Sequence, residues 1–285
     1  MHPKRSGKLD ARNSQGGRRT GIARRHRREG AVEDDGLNVT IFGGSGFVGR
    51  HLAAALRARG DDVTIVSLRD PAAAARVASK ADVVVNLAGA PVASRWTRKQ
   101  KKEIRRSRVD LTRELLDLLA TFARIPRAYV SASAVGYYGT SLTETFVESS
   151  PAGDDFLARV CVDWECEANR ASLLGMRVAI VRLGVVLGAD GGALAKMLPP
   201  FRLGMGGRLG SGRQWMSWVH VDDAVGIFLL AIDSERGVMN AAAPEPVTNA
   251  EFTQVLASTL RRRAILPVPE FALRLLFGQS AQMLT

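Results

Sequence analysis

The sequence predicts an α/β fold, a doubly wound parallel sheet followed by a smaller C-terminal lobe. Short apolar segments rich in β-branched residues alternate with amphipathic segments of helical period. A glycine-rich turn, GGSGFVG, joins the first strand to the first helix. Beyond Gly184 the alternation gives way to loops and glycine-rich stretches. Strands that alternate with helices of this length form a parallel sheet covered by helices on both faces.

The predicted elements follow one another as strand, helix, strand. Strands are expected at 37–42, 63–67, 83–87, 128–133 and 177–183, and helices at 47–59, 70–80, 98–124 and 154–174. The connection after the second strand is too short for a further strand and helix, so one edge of the sheet is expected to be trimmed. In the later part we expect a helix capped by Asp222 and Asp223, a helix over 249–261, and a last apolar helix after Pro269.

The net charge of +12 lies mainly in two blocks. Residues 1–36 are rich in Arg, Gly and Ser and lack hydrophobic periodicity, which predicts a disordered basic tail. Binding to RNA or acidic surfaces and organelle targeting are open alternatives, but a tail with no selected role or an early start codon is favoured. The second block, Arg95 to Arg108, is interpreted as a solvated helix face. Nucleic-acid binding is therefore not the favoured interpretation.

Composition also bears on location. No apolar run is long enough to cross a bilayer, and no signal-peptide core is found near the start. The two cysteines, Cys161 and Cys166, lie five residues apart on one predicted helix, so they cannot bridge each other. They fit a reducing compartment and form no metal-binding pattern. We expect a cytoplasmic protein without a metal.

The turn after the first strand carries glycines at positions 43, 46 and 49. At this spacing glycines allow a sharp turn, close approach of a pyrophosphate, and packing of helix on strand. The phosphates would lie on the free N–H groups at the positive end of the helix. Residues 37–183 are therefore predicted to form a Rossmann dinucleotide-binding domain, and residues 184–285 a substrate-side lobe.

The end of the second strand favours NADP over NAD. NAD enzymes place an acidic residue there to hold the ribose 2′-hydroxyl, but this position falls near the neutral Ser67. Arg69 follows it, and Arg50 begins the phosphate helix; both could bind a 2′-phosphate. Asp70 would reverse this preference if it pointed inward.

Several sequence runs resemble the extended short-chain dehydrogenase/reductase superfamily. The runs are Gly43–Gly49, Asn86–Gly89, Ser131–Gly139 and the sequence His220-Val221-Asp222-Asp223. Others, including Arg95-Trp96-Thr97 and Ser107-Arg108-Val109, are similar to the atypical "epimerase family protein" branch, whose substrate is largely undefined. The resemblance covers Leu37 to about Gln279. By the family's pattern the chain is expected to end early.

The resemblance implies a catalytic serine at Ser133 but departs from the superfamily elsewhere. The positions of its Tyr-x-x-x-Lys pair hold Cys161 and Glu165. Glu165 could still accept hydrogen bonds from ribose hydroxyls, whereas proton transfer does not carry over. Cys161 is favoured as a buried small hydrophobe over a catalyst. Tyr137 and Tyr138 are alternative acids, although packing is the favoured interpretation of both.

The substrate side departs as well. Nucleotide-sugar members carry Arg-Asp before the His-Val-Asp-Asp run, and here Met216-Ser217 stands between Trp215 and Trp218. An apolar wall would suit a flat ligand rather than a nucleotide sugar, unless Arg208 or Arg213 takes over the clamp; packing between lobes is the alternative. Arg95 and Trp96 are expected to border the pocket. His220 is expected to be structural.

Together these features predict an NADP(H)-binding protein, an oxidoreductase or epimerase/dehydratase acting on an unknown small molecule. A non-enzymatic NADP sensor and nucleic-acid binding through the tail are the alternatives, and a homodimer is left open. The residues expected to contact the cofactor are Gly43, Ser45, Gly46, Phe47, Val48, Gly49, Arg50, Arg69, Leu87, Ala88, Gly89, Ser131, Ser133 and Glu165.

Overall fold

Ten strands are present in the computed structural model, which describes residues 36–235, 237–264 and 266–283. The predicted tail lies outside the described residues except for Gly36. The strands are β1 Asn38–Phe42, β2 Asp62–Val66, β3 Val83–Asn86, β4 Ala128–Ala134, β5 Arg177–Leu183, β6 Val185–Gly188, β7 Trp215–Met216, β8 Trp218–His220, β9 Val238–Ala241 and β10 Val247–Thr248.

Nine α-helices connect and cover these strands within the described ranges. They are α1 Phe47–Arg59, α2 Pro71–Ala78, α3 Arg98–Arg105, α4 Leu111–Leu119, α5 Phe156–Asn169, α6 Gly192–Arg202, α7 Val221–Asp233, α8 Asn249–Thr259 and α9 Glu270–Phe277. A π-helical turn, Arg106–Asp110, joins α3 to α4. The predicted helix over 98–124 therefore ends earlier and contains a π turn.

Six strands form one parallel sheet in the order β2-β1-β3-β4-β5-β9. The doubly wound prediction is confirmed. The expected trimming is also found: β2 forms one edge of the sheet, because only α2 separates it in sequence from β3, which lies on the other side of β1. The crevice of such a sheet lies at the carboxyl ends of its strands. It is found between β1 and β3, where the order of the strands reverses.

Alternate residues of each strand enter two apolar layers, as a sheet buried on both faces requires. One layer holds Ile41, Val85 and Val130 together with Leu52 of α1 and Phe228 of α7. The other layer is lined by residues of the strands and of α2 and α4, namely Phe42, Val84, Tyr129, Ala75, Leu111 and Leu115. This alternation fixes which strand side chains point towards α5.

Three helix termini test the sequence signals. Gly60 ends α1 in the left-handed region at φ 100°, and the carboxylate of Asp70 caps α2 by accepting from the N–H of Ala73 at 3.0 Å. The prediction that Asp222 caps α7 is wrong. His220 is the capping residue, and its ring Nδ1 accepts from the N–H of Asp222 at 3.3 Å. Histidine is an uncommon N-cap residue, whereas aspartate is a preferred one, and the prediction therefore chose Asp222.

Some residues after Gly184 belong to the main sheet and its covering helices, and others form two short sheets outside it. Two short sheets, β6 with β8 and β7 with β10, lie outside the main sheet. However, α7 packs on α1, and β9 pairs with β5 in the main sheet. The predicted boundary at 183/184 therefore does not separate the sheet from the lobe. The sequence analysis missed β9 because its residues, Val238-Met239-Asn240-Ala241, lack the run of β-branched residues that marks β3.

Among the described residues, no helix combines the length and the apolar character needed to cross a bilayer.

Candidate cofactor and active site

The candidate site begins at the carboxyl ends of β1, β3 and β4. The register aligns Phe42 with Asn86 and Asn86 with Ser131, so the three segments that follow emerge side by side. These are the glycine turn after β1, the loop from Leu87 to Gly89, and the end of β4 at Ser133. Residues distant in sequence are thereby brought to one edge of the sheet.

Close packing explains the glycines at 43 and 49. Gly43 has a φ of 77°, and a Cβ there would lie 2.7 Å from the carbonyl group of Leu87. A Cβ on Gly49 would collide with the carbonyl oxygen of Gly43. Gly46 is different, because a Cβ there would meet only the Gly43 oxygen, at 3.1 Å. Two glycines thus shape the turn, whereas Gly46 leaves its outer side open.

The N-terminus of α1 is arranged to receive an anion. Gly46 is its N-cap and provides no side-chain hydrogen bond, and the first turn contains no acidic residue. The N–H groups of Phe47 and Val48 accordingly have no acceptor among the described residues. Free N–H groups at the positive end of a helix fit the pyrophosphate of a dinucleotide. Ser45 and Gly46 are exposed on the same turn.

Phe47 and Arg50 turn towards the loop that follows β6. A Cβ on Gly188, Gly191 or Gly192 of this loop would meet the Phe47 ring within 3 Å. Arg50 forms an ion pair with Asp190, Nη2 to Oδ2 at 2.8 Å, and donates to the Asp190 carbonyl at the same distance. The expectation that Arg50 binds a 2′-phosphate is not supported, because this guanidinium is already paired.

The end of β2 retains the predicted preference for a phosphate. The Ser67 hydroxyl accepts from the N–H of Arg69 at 3.2 Å, which shapes the turn. Arg69 is exposed and has no carboxylate partner among the described residues. Asp70 caps α2, so the inward orientation that would have favoured NAD is not found.

A buried polar cluster holds the loop after β3. Asn86 donates through Nδ2 to the Tyr129 hydroxyl at 2.9 Å and to Thr112 Oγ1 at 3.1 Å, while its Oδ1 accepts from the N–H of Ala88 at 3.1 Å. Burial raises the pKa of Tyr129 to about 12, so the phenol stays protonated. Leu87 and Ala88 are therefore fixed beside the glycine turn rather than mobile on the surface.

Ser133, Glu165 and Arg182 form the central contact of the site. Ser133 and Arg182 are register partners in β4 and β5, so both side chains point towards α5. The Ser133 hydroxyl donates to Glu165 Oε1 at 2.6 Å. Arg182 donates to the same carboxylate twice, from Nε at 2.9 Å and from Nη2 at 2.8 Å. All three residues are buried.

This contact changes the roles expected from the resemblance. Glu165 lies opposite Ser133, and Arg182 and Ser133 engage both of its oxygens. These internal contacts do not support the expected hydrogen bonds from Glu165 to ribose hydroxyls. Burial acts to lower the pKa of Arg182, but the hydrogen bonds to Glu165 and Tyr138 raise it overall. Ser131, also predicted to contact the cofactor, is buried and donates to the carbonyl of Ala132.

Tyr138 and Tyr137 have different surroundings. The Tyr138 hydroxyl accepts from Arg182 Nη1 at 2.8 Å and donates to Asn240 Oδ1 at 2.7 Å, so Tyr138 is committed to the internal network. Tyr137 is half-buried, and the Arg182 guanidinium lies 3.5 Å from its ring centroid. Within the described residues the Tyr137 hydroxyl has no hydrogen-bond partner. Of the predicted acids, Tyr137 is the one left free to reach a ligand.

Cys161 is a buried thiol next to Ser133. Burial, followed by the charge of Glu165, raises the pKa of Cys161 to about 11. At neutral pH it is therefore a neutral thiol, which agrees with the favoured interpretation as a small buried hydrophobe. A thiolate nucleophile is not available at this position.

Sequence reasoning missed Arg182 and Arg108. Arg182 interrupts the apolar strand β5, and a buried charge in such a strand requires a partner, which was an available signal. Arg108 was assigned to a solvated helix face. It is instead half-buried in the π turn, with its guanidinium against Gly89.

The predicted substrate-side residues lie in several places. Trp215 is in β7, and its indole N–H donates to the carbonyl of Leu142 at 3.0 Å. Trp218 is in β8, which pairs with β6, so the two tryptophans belong to different sheets. Arg208 and Arg213 line an open groove of about 380 Å³ together with Trp215. Arg208 and Arg213, the two arginines that could replace the missing Arg of the nucleotide-sugar clamp, thus line the same groove as Trp215.

Trp96 and Arg95 lie beyond the loop after β3. The Trp96 indole donates to the carbonyl of Val92 at 3.0 Å, and its ring packs edge-on against Phe156 with centroids 5.1 Å apart. Lys101 lies over both rings. Arg95 is exposed and passes near Gly278. These contacts give Trp96 a packing role at the start of α5.

A trimmed doubly wound sheet with an uncapped, glycine-shaped first helix defines the class of dinucleotide-binding α/β proteins. Comparison with known proteins identifies the family within this class. Residues 39–242 match the family model for the NAD dependent epimerase/dehydratase family, and the chain belongs to this family. The extended short-chain dehydrogenase/reductase fold expected from the sequence is confirmed.

Two relatives and one solved structure illustrate the similarity. The chain is 43% identical to "Epimerase family protein SDR39U1 homolog, chloroplastic" of Arabidopsis thaliana, over 86% of this chain and 77% of that protein. It is 40% identical to the human "Epimerase family protein SDR39U1", over 85% and 87%. The crystal structure of human SDR39U1 (isoform 2) with NADPH superposes with a TM-score of 0.78 at 37% identity, covering 86% of this chain and 88% of that one.

Proposed function

We propose that this chain binds NADP(H) and acts as an oxidoreductase or epimerase on a small molecule. The observation that carries the proposal is the uncapped N-terminus of α1, with its free N–H groups above the glycine turn and beside the fixed Leu87–Gly89 loop. A diphosphate across this crevice satisfies those groups. The human relative solved with NADPH supports the same cofactor.

The 2′-phosphate of NADP would lie at the end of β2. Arg69 is unpaired there among the described residues, Ser67 is neutral, and Asp70 is occupied as a cap. A guanidinium binds phosphate through charge-assisted hydrogen bonds. NAD would leave Arg69 without a partner, which favours NADP.

When bound, the nicotinamide accepts or supplies the hydride of the reaction. The chain's own residues would position the substrate. The Ser133 hydroxyl donates its hydrogen bond to Glu165. The Ser133 oxygen is therefore available to accept a hydrogen bond from a substrate hydroxyl. The Glu165–Arg182 pair fixes the Ser133 hydroxyl in this orientation. Tyr137, with its free hydroxyl at the end of β4, is the proposed proton donor or acceptor.

The proposal also covers the location of the chain, the groove beside Trp215 and the oligomeric state. We retain a cytoplasmic location for this chain; the word chloroplastic describes the Arabidopsis relative. The groove beside Trp215 and Arg208 is proposed to hold the part of the substrate distant from the reacting carbon. A homodimer is compatible with this arrangement.

Turnover tests the proposal. The full chain is incubated with NADPH and a panel of small aldehydes, ketones and oxo acids, and nicotinamide absorbance is followed. NADPH consumption that depends on one panel member and is lost in Tyr137→Phe supports an enzyme with Tyr137 as the acid. NADPH binding without consumption across the whole panel would favour the sensor alternative.

A further inference from the structure

Arg108 is half-buried beside the candidate active site. A Cβ added to Gly89 would lie 2.8 Å from both Cζ and Nη2 of Arg108, so the guanidinium fills the space left by this glycine. On its other side, the guanidinium lies 5.3 Å from the ring centroid of the buried Trp164. The charge is thereby placed between the end of β3 and helix α5.

The π turn 106–110 fixes this position through Ala90. The Ser107 hydroxyl accepts from the N–H of Ala90 at 2.9 Å, and Arg108 Nη1 donates to the Ala90 carbonyl at 3.0 Å. A second, longer bond runs from Nη1 to the carbonyl of Ile104 at 3.4 Å. Arg108 is thus tied to the loop that follows Gly89, and a π turn of this kind is often found at functional sites.

Most donors of this guanidinium are unused. Arg108 has no carboxylate within ion-pair distance in the described part of the chain, and its Nε and Nη2 groups have no acceptor there. Burial accordingly lowers the pKa of Arg108. Arg182, the buried arginine of the site, instead donates twice to Glu165. A half-buried guanidinium with unused donors and no carboxylate partner is suited to bind an anionic ligand.

The surroundings also contain a second unused donor. The indole Nε1 of Trp164 is buried and has no hydrogen-bond partner among the described residues. Cys161, one helical turn before Trp164, contacts Ser133 and feels the charge of Arg108. Arg108 therefore lies close enough to the Cys161–Ser133 contact for its charge to act there.

The anionic groups of a dinucleotide would lie elsewhere. The pyrophosphate site is above β1, and Arg69 is at the end of β2. Arg108 is beyond β3, on the side of β4 and α5. The anion that it can bind must therefore come from another molecule in the site.

We propose that Arg108 binds an oxyanion of the substrate, a carboxylate or phosphate group close to the carbon that reacts beside Ser133. This inference rests on the proposed function and specifies its substrate class: a small anionic molecule. Arg108 orients the substrate so that its oxygen reaches Ser133 and Tyr137. A neutral carbonyl compound lacks the group that would occupy this position.

The test uses the full chain saturated with NADPH and titrated with oxalate and, separately, with inorganic phosphate, by calorimetry. Arg108→Gln removes the charge, and Arg108→Lys keeps it without the planar fork. Arg105→Gln is the matched control, because Arg105 lies three residues away, is exposed, and pairs with Asp110 and Asp163. Circular dichroism shows that each variant has folded, and NADPH affinity is measured separately by nicotinamide fluorescence.

We expect saturable binding of at least one anion, weakened about tenfold or more by Arg108→Gln, less by Arg108→Lys, and hardly by Arg105→Gln. Preference for oxalate or for phosphate identifies the headgroup. If the NADPH-loaded chain binds neither anion, or if Arg108→Gln binds them unchanged, the inference is wrong while the proposed function stands. Loss of NADPH affinity in Arg108→Gln would assign this arginine to the cofactor and overturn the inference. Failure of the wild-type chain to bind NADPH would remove both proposals.

Discussion

Glu165 and Arg182 face each other between α5 and β5, joined by two hydrogen bonds of 2.9 and 2.8 Å. The resemblance to the superfamily implies that Glu165 stands where a lysine is expected, which would reverse the charge. In this structure the cation that pairs with Glu165 is on the neighbouring strand. The Ser133 hydroxyl is held by the same carboxylate, so the pair organises the site without contacting solvent.

The first prediction concerns stability. Arg182→Met leaves the Glu165 charge buried without a partner and should lower the free energy of unfolding by about 3–5 kcal/mol. The double variant Arg182→Met/Glu165→Leu removes both charges and should recover a large part of this loss. Urea unfolding followed by circular dichroism measures both changes.

The exposed pair Arg274–Glu270, at 2.6 Å and one helical turn apart, is the control. Arg274→Met should cost no more than about 0.5 kcal/mol. An equal loss for Arg182→Met and Arg274→Met would contradict the structural role of the buried pair.

The second prediction concerns Cys161. Because its pKa is about 11, iodoacetamide at pH 8 should label the exposed Cys166 and leave Cys161 unmodified until the chain unfolds. Mass spectrometry of tryptic peptides distinguishes the two sites. Rapid labelling of Cys161 in the native chain would show that the thiol is accessible, contrary to its burial.

The same shift has a consequence for stability against pH. Burial raises the pKa of Cys161 from the ordinary thiol value of about 9 to about 11 in the folded chain, so the unfolded chain releases this proton first. The contribution of Cys161 to the free energy of unfolding is therefore fully present below about pH 9 and is lost as the pH rises towards 11. Cys161→Ala should flatten this part of the stability profile, measured relative to wild type. An unchanged slope between these pH values would sink the assignment.

The third prediction separates the binding role of Gly46 from folding. A methyl group at Gly46 meets only one protein atom but enters the space proposed for the pyrophosphate. Gly46→Ala should leave stability within about 1 kcal/mol of wild type and weaken NADPH binding about tenfold or more.

Gly226 is the matched control, an exposed glycine inside α7 where a Cβ meets nothing within 4 Å. Gly226→Ala should stabilise the chain by up to about 1 kcal/mol and leave NADPH affinity unchanged. If Gly46→Ala and Gly226→Ala bind NADPH equally well, the pyrophosphate does not lie over Gly46.

The fourth prediction concerns the choice of coenzyme. Arg69→Gln should weaken NADPH binding by about 1.5–3 kcal/mol and leave NADH binding almost unchanged, because only NADPH carries the 2′-phosphate. Arg50→Gln should not alter the ratio, since Arg50 is paired with Asp190. A larger effect at Arg50 than at Arg69 would show that the ion pair opens and that Arg50 is the phosphate ligand.

The sheet was predictable because its signals are local. Gly43 and Gly49 announce a turn that only glycine can make, and segments such as Val83-Val84-Val85 have the β-branched composition of a buried strand. The contacts of the site were less predictable, because they join residues far apart in the chain. Asn240 binds Tyr138 across 102 positions, and no local pattern reports such a contact.

Two side chains show why local patterns fail at the site itself. The residue type and position of Arg50 suggest a phosphate ligand, but Asp190, 140 positions away in the sequence, pairs with it. Arg108 has the sequence context of an exposed helix face, but it is half-buried in a π turn with its guanidinium against Gly89. In both cases tertiary structure decides which charges are left for a ligand.

The most direct test of the account is a titration of the wild-type chain with NADPH and with NADH, monitored by the fluorescence of the nicotinamide ring. We predict saturable binding of NADPH at micromolar concentration and an affinity for NADH that is about tenfold lower or weaker still. Equal affinities would contradict the role of Arg69. No binding of either coenzyme at millimolar concentration would contradict the central claim that a dinucleotide lies over the first turn.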